Sequence, residues 1–281
     1  MLPNFYIDEI IIRALKEDIN YIDVSADLVL DPDEEGSANF LAKDDGVLCG
    51  LDVALRVFEL LDPGFRAERF KKDGDALRKG DIIAKVYGKT ALLLKGERTA
   101  LNLIQHMSGI ATATNRAVKL AEGTKAKITD TRKTLPGLRA VEKYAVTCGG
   151  GFNHRFNLSD GAMLKDNHVD AGGGVGNAVR KIKSKLGHMV KVEVETRNLD
   201  EVREALDAGA EIIMLDNFDT EITKKAVELV GGRALLESSG GITLETLREY
   251  ALCGVDIISI GALTHSVKAF DISMKLNKKE N

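Results

Sequence analysis

The sequence predicts an α/β protein built around an α/β barrel, with a small α+β domain before it. From about residue 125, six short apolar runs rich in β-branched residues end in polar residues, in KITDTRK, AMLKDNH, VKVEVET, EIIMLDN, ALLESSGG and DIISIGA. Helical patterns such as LDEVREALDAGA separate several of them and end near a glycine. From Glu195 to Gly261 the runs recur every 21 to 23 residues, the spacing of βα units with parallel strands. Six strands favour an incomplete α/β barrel over a full eight-fold one.

Residues 1 to about 105 follow another pattern. Helix candidates at 5–18 and 51–61 flank the strand-like stretches SANFLAKDDGVLCG, FRAERFKKDGDAL, DIIAKVYG and ALLLKG. The long helical stretch ERTALNLIQHMSGIATATNRAVKLAEG then leads into the barrel. We therefore predict an amino-terminal α+β domain over 1–105, a barrel domain over 106–269 and a tail over 270–281 that returns to the first domain.

The composition excludes several classes of protein. The 281 residues are 44% hydrophobic and carry a net charge of −4, which argues against a nucleic-acid partner. Three widely separated cysteines form neither a disulfide framework nor a zinc motif. No apolar run approaches membrane-spanning length, and the first residues have acids inside an apolar pattern and no basic leader. We expect a cytoplasmic protein without a membrane or nucleic-acid partner.

Polar residues follow the predicted strands at their carboxyl ends. In α/β barrels this face carries the active site, because the βα loops and the helix amino termini meet there. We therefore expect six residues that are scattered in the sequence to lie close together: Lys133, Lys165, Glu195, Asp216, Ser239 and Gly261.

Positive charge is concentrated between Ile128 and His168. This segment holds six Lys and Arg against four Asp and Glu, in a chain that is acidic as a whole. Lys133 and Lys165 directly follow strands, so we assign them to an anion pocket, and we assign Arg139 and Lys143, on a probable helix, to the surface. Several basic side chains together imply a ligand with several negative charges.

The glycine-rich segments each have two interpretations. CGGGFNH, which contains His154, could cradle a phosphate or be a flexible turn, and the histidine alone could be structural, although Arg155 beside it favours a ligand contact. ESSGGI and SIGA, after the last two strands, could form a phosphate site or be two left-handed turns.

The acidic residues also leave alternatives. Glu193 and Glu195 lie on one face of a strand, so at least one of them should have a cationic, hydroxyl or Mg²⁺ partner. Asp216 lies at the end of the next strand, where it or Asn217 could instead cap a helix.

Together these motifs resemble those of the quinolinate phosphoribosyltransferases, the carboxylating nicotinate-nucleotide pyrophosphorylases of de novo NAD synthesis. The resemblance covers nearly the whole chain, in the order GERTALNLIQHMSGIAT, DTRKTLPGLR, KYAVTCGGGFNHR, LKDNH, VEVET, MLDN, ESSGGI and SIGALTHS. It implies an amino-terminal α/β sandwich domain and an incomplete α/β barrel. It also implies a homodimer in which the first domain covers the partner's barrel; assembly beyond the dimer is left open.

The resemblance implies roles for individual residues. Arg98 would reach the partner's site to hold a quinolinate carboxylate. The cationic lining for quinolinate and phosphoribosyl diphosphate would be Arg132, Lys133, His154, Arg155 and Lys165. Two acids would serve the ribose hydroxyls and Mg²⁺, held through the diphosphate or water: Glu195 and Asp216. The 5-phosphate loops would be Ser239, Gly240, Gly241 and Gly261. The catalytic set would be Lys133, Lys165, Glu195 and Asp216.

The implied reaction joins quinolinate to 5-phosphoribosyl diphosphate and yields nicotinate mononucleotide, CO₂ and diphosphate. Three alternatives stay open: a transferase for nicotinate or another ring acid without decarboxylation, a Schiff-base aldolase that uses Lys165 or Lys133, and a non-catalytic anion-binding module. Acids and cations both lie at strand ends, where a simple anion binder needs only cations, and this favours an enzyme.

Overall fold

The computed structural model describes residues 2–278 and separates into two compact units. The first unit comprises the chain up to Asn115, Thr134–Gly150 and the chain from Thr264 onward, and the second comprises Arg116–Lys133 and Gly151–Leu263. Over residues 2–278, no helix is both long and apolar enough to cross a membrane. Cys49, Cys148 and Cys253 are free thiols.

Helices and strands alternate regularly only in the later part of the chain. The helices described are α1 (Asn4–Ile19), α2 (Ala26–Val29), α3 (Leu51–Leu61), α4 (Thr90–Leu120), α5 (Arg139–Cys148), α6 (Asp166–Gly172), α7 (Val175–Lys183), α8 (Leu199–Asp207), α9 (Thr220–Val230), α10 (Leu244–Leu252) and α11 (Ala262–His265). The strands described are β1 (Glu35–Ala42), β2 (Gly46–Val47), β3 (Arg66–Arg69), β4 (Ala76–Leu77), β5 (Ile82–Lys89), β6 (Lys127–Thr129), β7 (Ala162–Leu164), β8 (Val192–Thr196), β9 (Ile212–Asp216), β10 (Leu235–Ser239), β11 (Ile257–Ser259) and β12 (Ile272–Leu276).

The first unit is built on an antiparallel sheet with the order β12-β1-β5-β3. Alternate residues of β1 are buried, as the period of two along a strand requires. The ring of Phe40 on β1 meets that of Phe58 on α3 edge to face, with centroids 6.1 Å apart, so α3 packs on the sheet. The last strand, from the tail, pairs with β1 and places Met274 opposite Phe40. Residues 279–281 of the predicted tail lie outside the described residues.

One predicted strand is wrong. ALLLKG forms the first turns of α4 rather than a strand. Its residues are leucine, alanine and lysine, which favour helices, and the buried positions Leu93, Ala100, Ile104 and Met107 recur at helical spacing. The helical spacing of the buried residues over the longer segment therefore determines its structure, and the short apolar run does not.

The surface assignment of Lys143 is also wrong. Lys143 lies on α5 in the first unit and is only 2% exposed. Its neighbours Val141, Glu142 and Ala145 are buried too, so α5 is covered on more than one side and its charged residues do not mark a solvent face. Arg139 is half-buried and donates from Nε to Thr134 Oγ1 at 3.0 Å.

The second unit holds six parallel strands in the order β6-β11-β10-β9-β8-β7. All six predicted runs form these strands, and among the described strands β6 and β7 are not paired with each other, so the sheet stays open. The helices between them begin at side-chain caps such as Asn198, which accepts hydrogen bonds from Asp200 N and Glu201 N. The predicted incomplete α/β barrel with an amino-terminal sheet domain is confirmed.

We expect Phe40→Ala to lower the free energy of unfolding by about 3–5 kcal/mol, because the substitution leaves a cavity in a fully buried position. Phe70→Ala is the matched control: this ring is 49% exposed, and its loss should cost less than about 1.5 kcal/mol. Urea unfolding of both variants, followed by circular dichroism, measures the difference. Equal losses would show that the β1–α3 contact does not carry the core.

Candidate active site

A cavity of about 480 Å³ opens at the carboxyl ends of the parallel strands of the second unit. Ten of the residues predicted from the sequence line it: Arg132, Lys133, His154, Arg155, Lys165, Glu195, Asp216, Ser239, Gly240 and Gly241. Arg98 and Gly261 are not among the described residues that line this cavity. Arg98 is exposed on α4 in the first unit, and Gly261 follows β11.

The strand register explains why the acidic and hydroxyl groups meet. Glu195 on β8 lies opposite Met214 on β9, and Ser239 on β10 lies opposite Asp216. Because side chains two residues apart share a face, Glu237 lies on the same face as Ser239. Three strands therefore deliver their polar residues to one side of the sheet.

Asp130 fixes the segment that carries the histidine. Its carboxylate, at the end of β6, is fully buried. Oδ1 accepts a hydrogen bond from His154 N at 2.9 Å, and Oδ2 accepts one from Asn153 Nδ2 at 2.6 Å. The next amide, Arg155 N, donates to His154 Nδ1 at 2.8 Å. These two amides are bonded within the protein, and the segment presents the side chains of His154 and Arg155 to the cavity.

The basic side chains lie close together. Arg155 donates from Nη1 to Gly161 O at 3.0 Å. Burial, and then the nearby Arg132, lower the pKa of the Arg155 guanidinium, while Glu193 opposes them. Two partly buried guanidinium groups that repel each other form a site that a bound anion would stabilise.

Lys165 follows β7 and stands at the amino end of α6. Its backbone amide donates to His168 Nδ1 at 3.0 Å, which fixes the start of the helix. Its ammonium Nζ lies 3.8 Å from Glu195 Oε2, an ion-pair distance that is too long for a hydrogen bond.

Glu195 is held in an electrostatically unfavourable place. Burial raises the pKa of its carboxyl group, and Asp216 adds to the effect, while Lys165 opposes it. Its Oε2 is buried and accepts no hydrogen bond from the part of the chain that the structure describes. Carboxylates with unused lone pairs are the hard oxygen donors that Mg²⁺ prefers.

The prediction that at least one of Glu193 and Glu195 has a cationic, hydroxyl or metal partner is confirmed by Glu195. Glu195 faces Lys165, and Glu193 Oε2 lies 3.0 Å from His154 Nε2. The structure adds Glu237, which sequence reasoning missed: it lines the cavity, is 1% exposed, and its Oε2 lies 3.6 Å from the same nitrogen. Burial, and then Glu193, raise the pKa of Glu237 to about 7, while His154 opposes them. The signal was present, because an acid inside the apolar run ALLESS sits two residues before Ser239.

The loops after the last two strands differ from each other. Gly240 and Gly241 have φ values of +92° and +63°, in the left-handed region, whereas Gly261 is not among the described glycines with positive φ. A Cβ at Gly240 would lie 2.3 Å from Asn217 Oδ1, so the position requires glycine for space as well as for conformation. Ser259 Oγ donates to Ser239 Oγ at 3.0 Å and joins the two strand ends.

The capping alternative for Asp216 and Asn217 is wrong. The amino end of α9 is capped by Asp219, whose Oδ1 accepts from Ile222 N at 2.7 Å. Asn217 adopts a φ of +55°, and its backbone N–H donates to Ser239 O at 2.9 Å. Asp216 is therefore left to the cavity, which it lines.

The cavity can bind a polyanion beside a cation. Basic side chains come from the segments after β6 and β7 and from the segment before β7, and acids come from β8, β9 and β10. A ligand that carries several anionic groups and a bound metal ion matches both halves of this surface.

Comparison with known proteins agrees over both parts of the chain. Residues 23–108 match the N-terminal domain of quinolinate phosphoribosyl transferase, and residues 110–275 match its C-terminal domain. The chain is similar to the probable nicotinate-nucleotide pyrophosphorylase (carboxylating) of Bacillus subtilis, with 46% identity over 258 residues that cover 92% of this chain and 89% of the relative. It is also similar to the chloroplastic nicotinate-nucleotide pyrophosphorylase (carboxylating) of Arabidopsis thaliana, with 45% identity over 294 residues, 98% of this chain and 84% of the relative.

Solved structures give the same result. The crystal structure of NadC from Streptococcus pyogenes superposes with a TM-score of 0.95 at 43% identity and covers 99% of this chain and 98% of that chain. Since both domain matches and full-length relatives above 40% identity coincide with this fold, the chain belongs to the quinolinate phosphoribosyl transferase family.

Proposed function

We propose that this protein transfers the phosphoribosyl group of 5-phosphoribosyl diphosphate to quinolinate and releases nicotinate mononucleotide, CO₂ and diphosphate. The observation that carries the proposal is one cavity that is lined both by basic side chains from the segments next to β6 and β7 and by acidic side chains from β8, β9 and β10. The relatives' names, nicotinate-nucleotide pyrophosphorylase (carboxylating), describe the same reaction.

The cations serve the charges of the two substrates. Quinolinate is a dianion and the donor carries several more charges, so a net-acidic chain needs a local excess of positive groups. Arg132 and Arg155 lie close enough to repel each other, and a pair of ring carboxylates would relieve that repulsion. Lys133 and Lys165 line the same cavity and would stabilise charge on the departing diphosphate.

The chemistry itself needs little covalent help from the protein. The pyridine nitrogen attacks the anomeric carbon of the ribose through an oxocarbenium-like state, and the bond to diphosphate breaks. Loss of the 2-carboxylate as CO₂ leaves an electron pair on a carbon beside the positively charged ring nitrogen, which stabilises it until a proton is taken up. The protein therefore acts chiefly by orienting the substrates and neutralising their charges.

We also propose that Glu195 and Asp216 hold Mg²⁺, through the donor diphosphate or through water. The unsatisfied, buried Oε2 of Glu195 supports this, together with the repulsion between the two acids that a cation would remove. When bound, Mg²⁺ would neutralise the leaving diphosphate.

A homodimer with shared active sites is part of the proposal. Arg98 is exposed on α4 in the first unit, where it does not belong to the cavity lining described above. The first 29 residues also expose large apolar side chains, which mark interaction surfaces in soluble proteins: Phe5, Tyr6, Tyr21, Val24, Leu28 and Val29.

We expect quinolinate, 5-phosphoribosyl diphosphate and Mg²⁺ to give nicotinate mononucleotide and CO₂ in equal amounts. The cavity holds more cations than a monoacid needs, so nicotinate in place of quinolinate should give little product. Labelled CO₂ release and chromatography of the nucleotide measure both. Efficient turnover of nicotinate would favour the non-decarboxylating alternative, and donor binding without turnover would favour the anion-binding module.

We expect Glu195→Gln and Asp216→Asn to lower kcat/KM for the phosphoribosyl donor by about tenfold or more, because a charged hydrogen-bonding group is lost. The affinity for quinolinate should change little, since an acid repels a dianion at close range. Steady-state kinetics and calorimetric titration of quinolinate separate the two, with Glu221→Gln, an exposed change on α9, as control. A sharp loss of quinolinate affinity with donor use intact would contradict the assignment.

We expect inactive Arg98→Ala and inactive Lys133→Ala subunits to recover activity when they form hybrid dimers, because one of the two sites then keeps both residues. With random mixing about half of the dimers are hybrids with one working site each, so about a quarter of the wild-type activity should return. Co-expression with two affinity tags, with isolation of the doubly tagged dimer, measures this directly. Verified hybrids without activity would place Arg98 outside the partner's site.

A further inference from the structure

A buried cluster of three side chains, His154, Glu193 and Glu237, lies in the wall of the cavity, and its hydrogen bonds define the state of the histidine. Nδ1 of His154 accepts a hydrogen bond from Arg155 N at 2.8 Å. A ring nitrogen that accepts from a backbone amide carries no proton, so the ring proton of the neutral form lies on Nε2. Nε2 points at Glu193 Oε2, 3.0 Å away, and donates to it.

The second carboxylate competes for the same proton. Glu237 Oε2 lies 3.6 Å from Nε2, beyond an ordinary hydrogen bond, and both acids are buried. Glu193 is therefore the acceptor that fixes the ring. Glu193 Oε1 accepts no hydrogen bond from any residue between 2 and 278, so the described contact of this carboxylate with the cluster is the one to His154 Nε2.

These three groups are also close enough to surround a cation. A metal ion would need the lone pair of Nε2, and this nitrogen is the one that bears the proton while Nδ1 is occupied by the backbone. The hydrogen-bond pattern thus favours a proton-mediated cluster over a metal site.

We propose that Glu193 is a positioning residue that anchors the ring of His154 through its Nε2–H group and, through the ring, orients Arg155 for the aromatic dianion. Glu193 is not among the described residues that line the 480 Å³ cavity, so it acts through the histidine. The chain of contacts runs from Glu193 to Nε2, from Nδ1 to the amide of Arg155, and from the Arg155 guanidinium to Gly161 O. Asp130 holds the same histidine by its backbone from the other side. This inference rests on the proposed function for the identity of the dianion only.

His154 therefore has a different role from the basic residues around it. Both ring nitrogens are bonded within the protein, so the ring is held in place from two sides. The charges of the dianion are then met by the guanidinium and ammonium groups, and the histidine sets where one of them stands.

The test compares Glu193→Leu, Glu193→Gln and the exposed control Glu221→Leu, all in the full-length protein. Long-range ¹⁵N–¹H correlation spectra of the histidines, with His154→Asn for assignment, should show the Nε2–H tautomer in the wild type and in Glu193→Gln, because the glutamine carbonyl can still accept. In Glu193→Leu the Arg155 amide still leaves Nδ1 unprotonated, so the tautomer should persist. The Nε2–H resonance should shift because its carboxylate acceptor is gone, and KM for quinolinate should rise about tenfold or more, with KM for the donor unchanged. Glu193→Gln should restore most of the quinolinate KM.

A wild-type spectrum with the Nδ1–H tautomer would overturn the proposal, and so would a folded Glu193→Leu variant with an unchanged spectrum and an unchanged quinolinate KM. If Glu193→Leu does not fold, the wild-type and Glu193→Gln spectra still decide the tautomer. The spectra need no turnover. A failed activity assay with an Nε2–H spectrum would therefore reject the proposed reaction and leave the positioning role standing.

Discussion

The parallel register of β8, β9 and β10 is the constraint on which the rest of the site depends. It sets Glu195 opposite Met214, and Asp216 opposite Ser239, so that acids separated by more than twenty residues share one face. A shift of one residue in any of these strands would turn its polar groups into the layer beneath the helices, where they would have no partners. The register of these strands therefore determines the geometry of the active site.

The sheet places several charged groups where folding alone would not favour them. Glu193 and Glu237 are buried within reach of one imidazole, and Glu195 keeps an unsatisfied oxygen. Burying such groups costs free energy unless they are paired, so the apolar contacts of the remaining strand positions must offset it. Departures of this kind from local rules are concentrated at functional sites.

The pKa of Glu237 near 7 limits how much negative charge the wall carries in neutral solution. Because burial raises the pKa of Glu237, this carboxyl group is protonated more readily than an ordinary glutamate, which lowers the negative charge of the cluster. The cation-rich loops therefore face a less acidic wall than a count of carboxyl groups suggests. The burial of Glu237 thus contributes to an overall positive cavity in an acidic protein.

Sequence periodicity was sufficient for the barrel strands, because six β-branched runs end in polar residues and the last four recur every 21 to 23 residues. It failed at ALLLKG, where four residues of apolar sequence could not reveal the helix that continues beyond them. The convergence of ten site residues followed from strand ends alone. Arg98 could not be placed that way, since its proposed role depends on a second subunit.

Two features of the site were invisible to sequence patterns for a physical reason. In the sequence, Asp130 is simply an acidic residue after a predicted strand. Only the folded chain shows that its two oxygens accept hydrogen bonds from Asn153 and His154. The state of His154 depends on which neighbour donates and which accepts, and that is a matter of orientation rather than residue type.

The close fit between Gly240 and Asn217 links two loops that are distant in the sequence. Asn217 holds an unusual backbone conformation and bonds to Ser239 O, while its side chain fills the space that any Cβ at Gly240 would need. A Cβ at Gly240 requires the Asn217 side chain to move and the backbone to keep a left-handed conformation that favours glycine. A library that varies either loop should therefore keep Gly240 and vary Asn217 together with its neighbours.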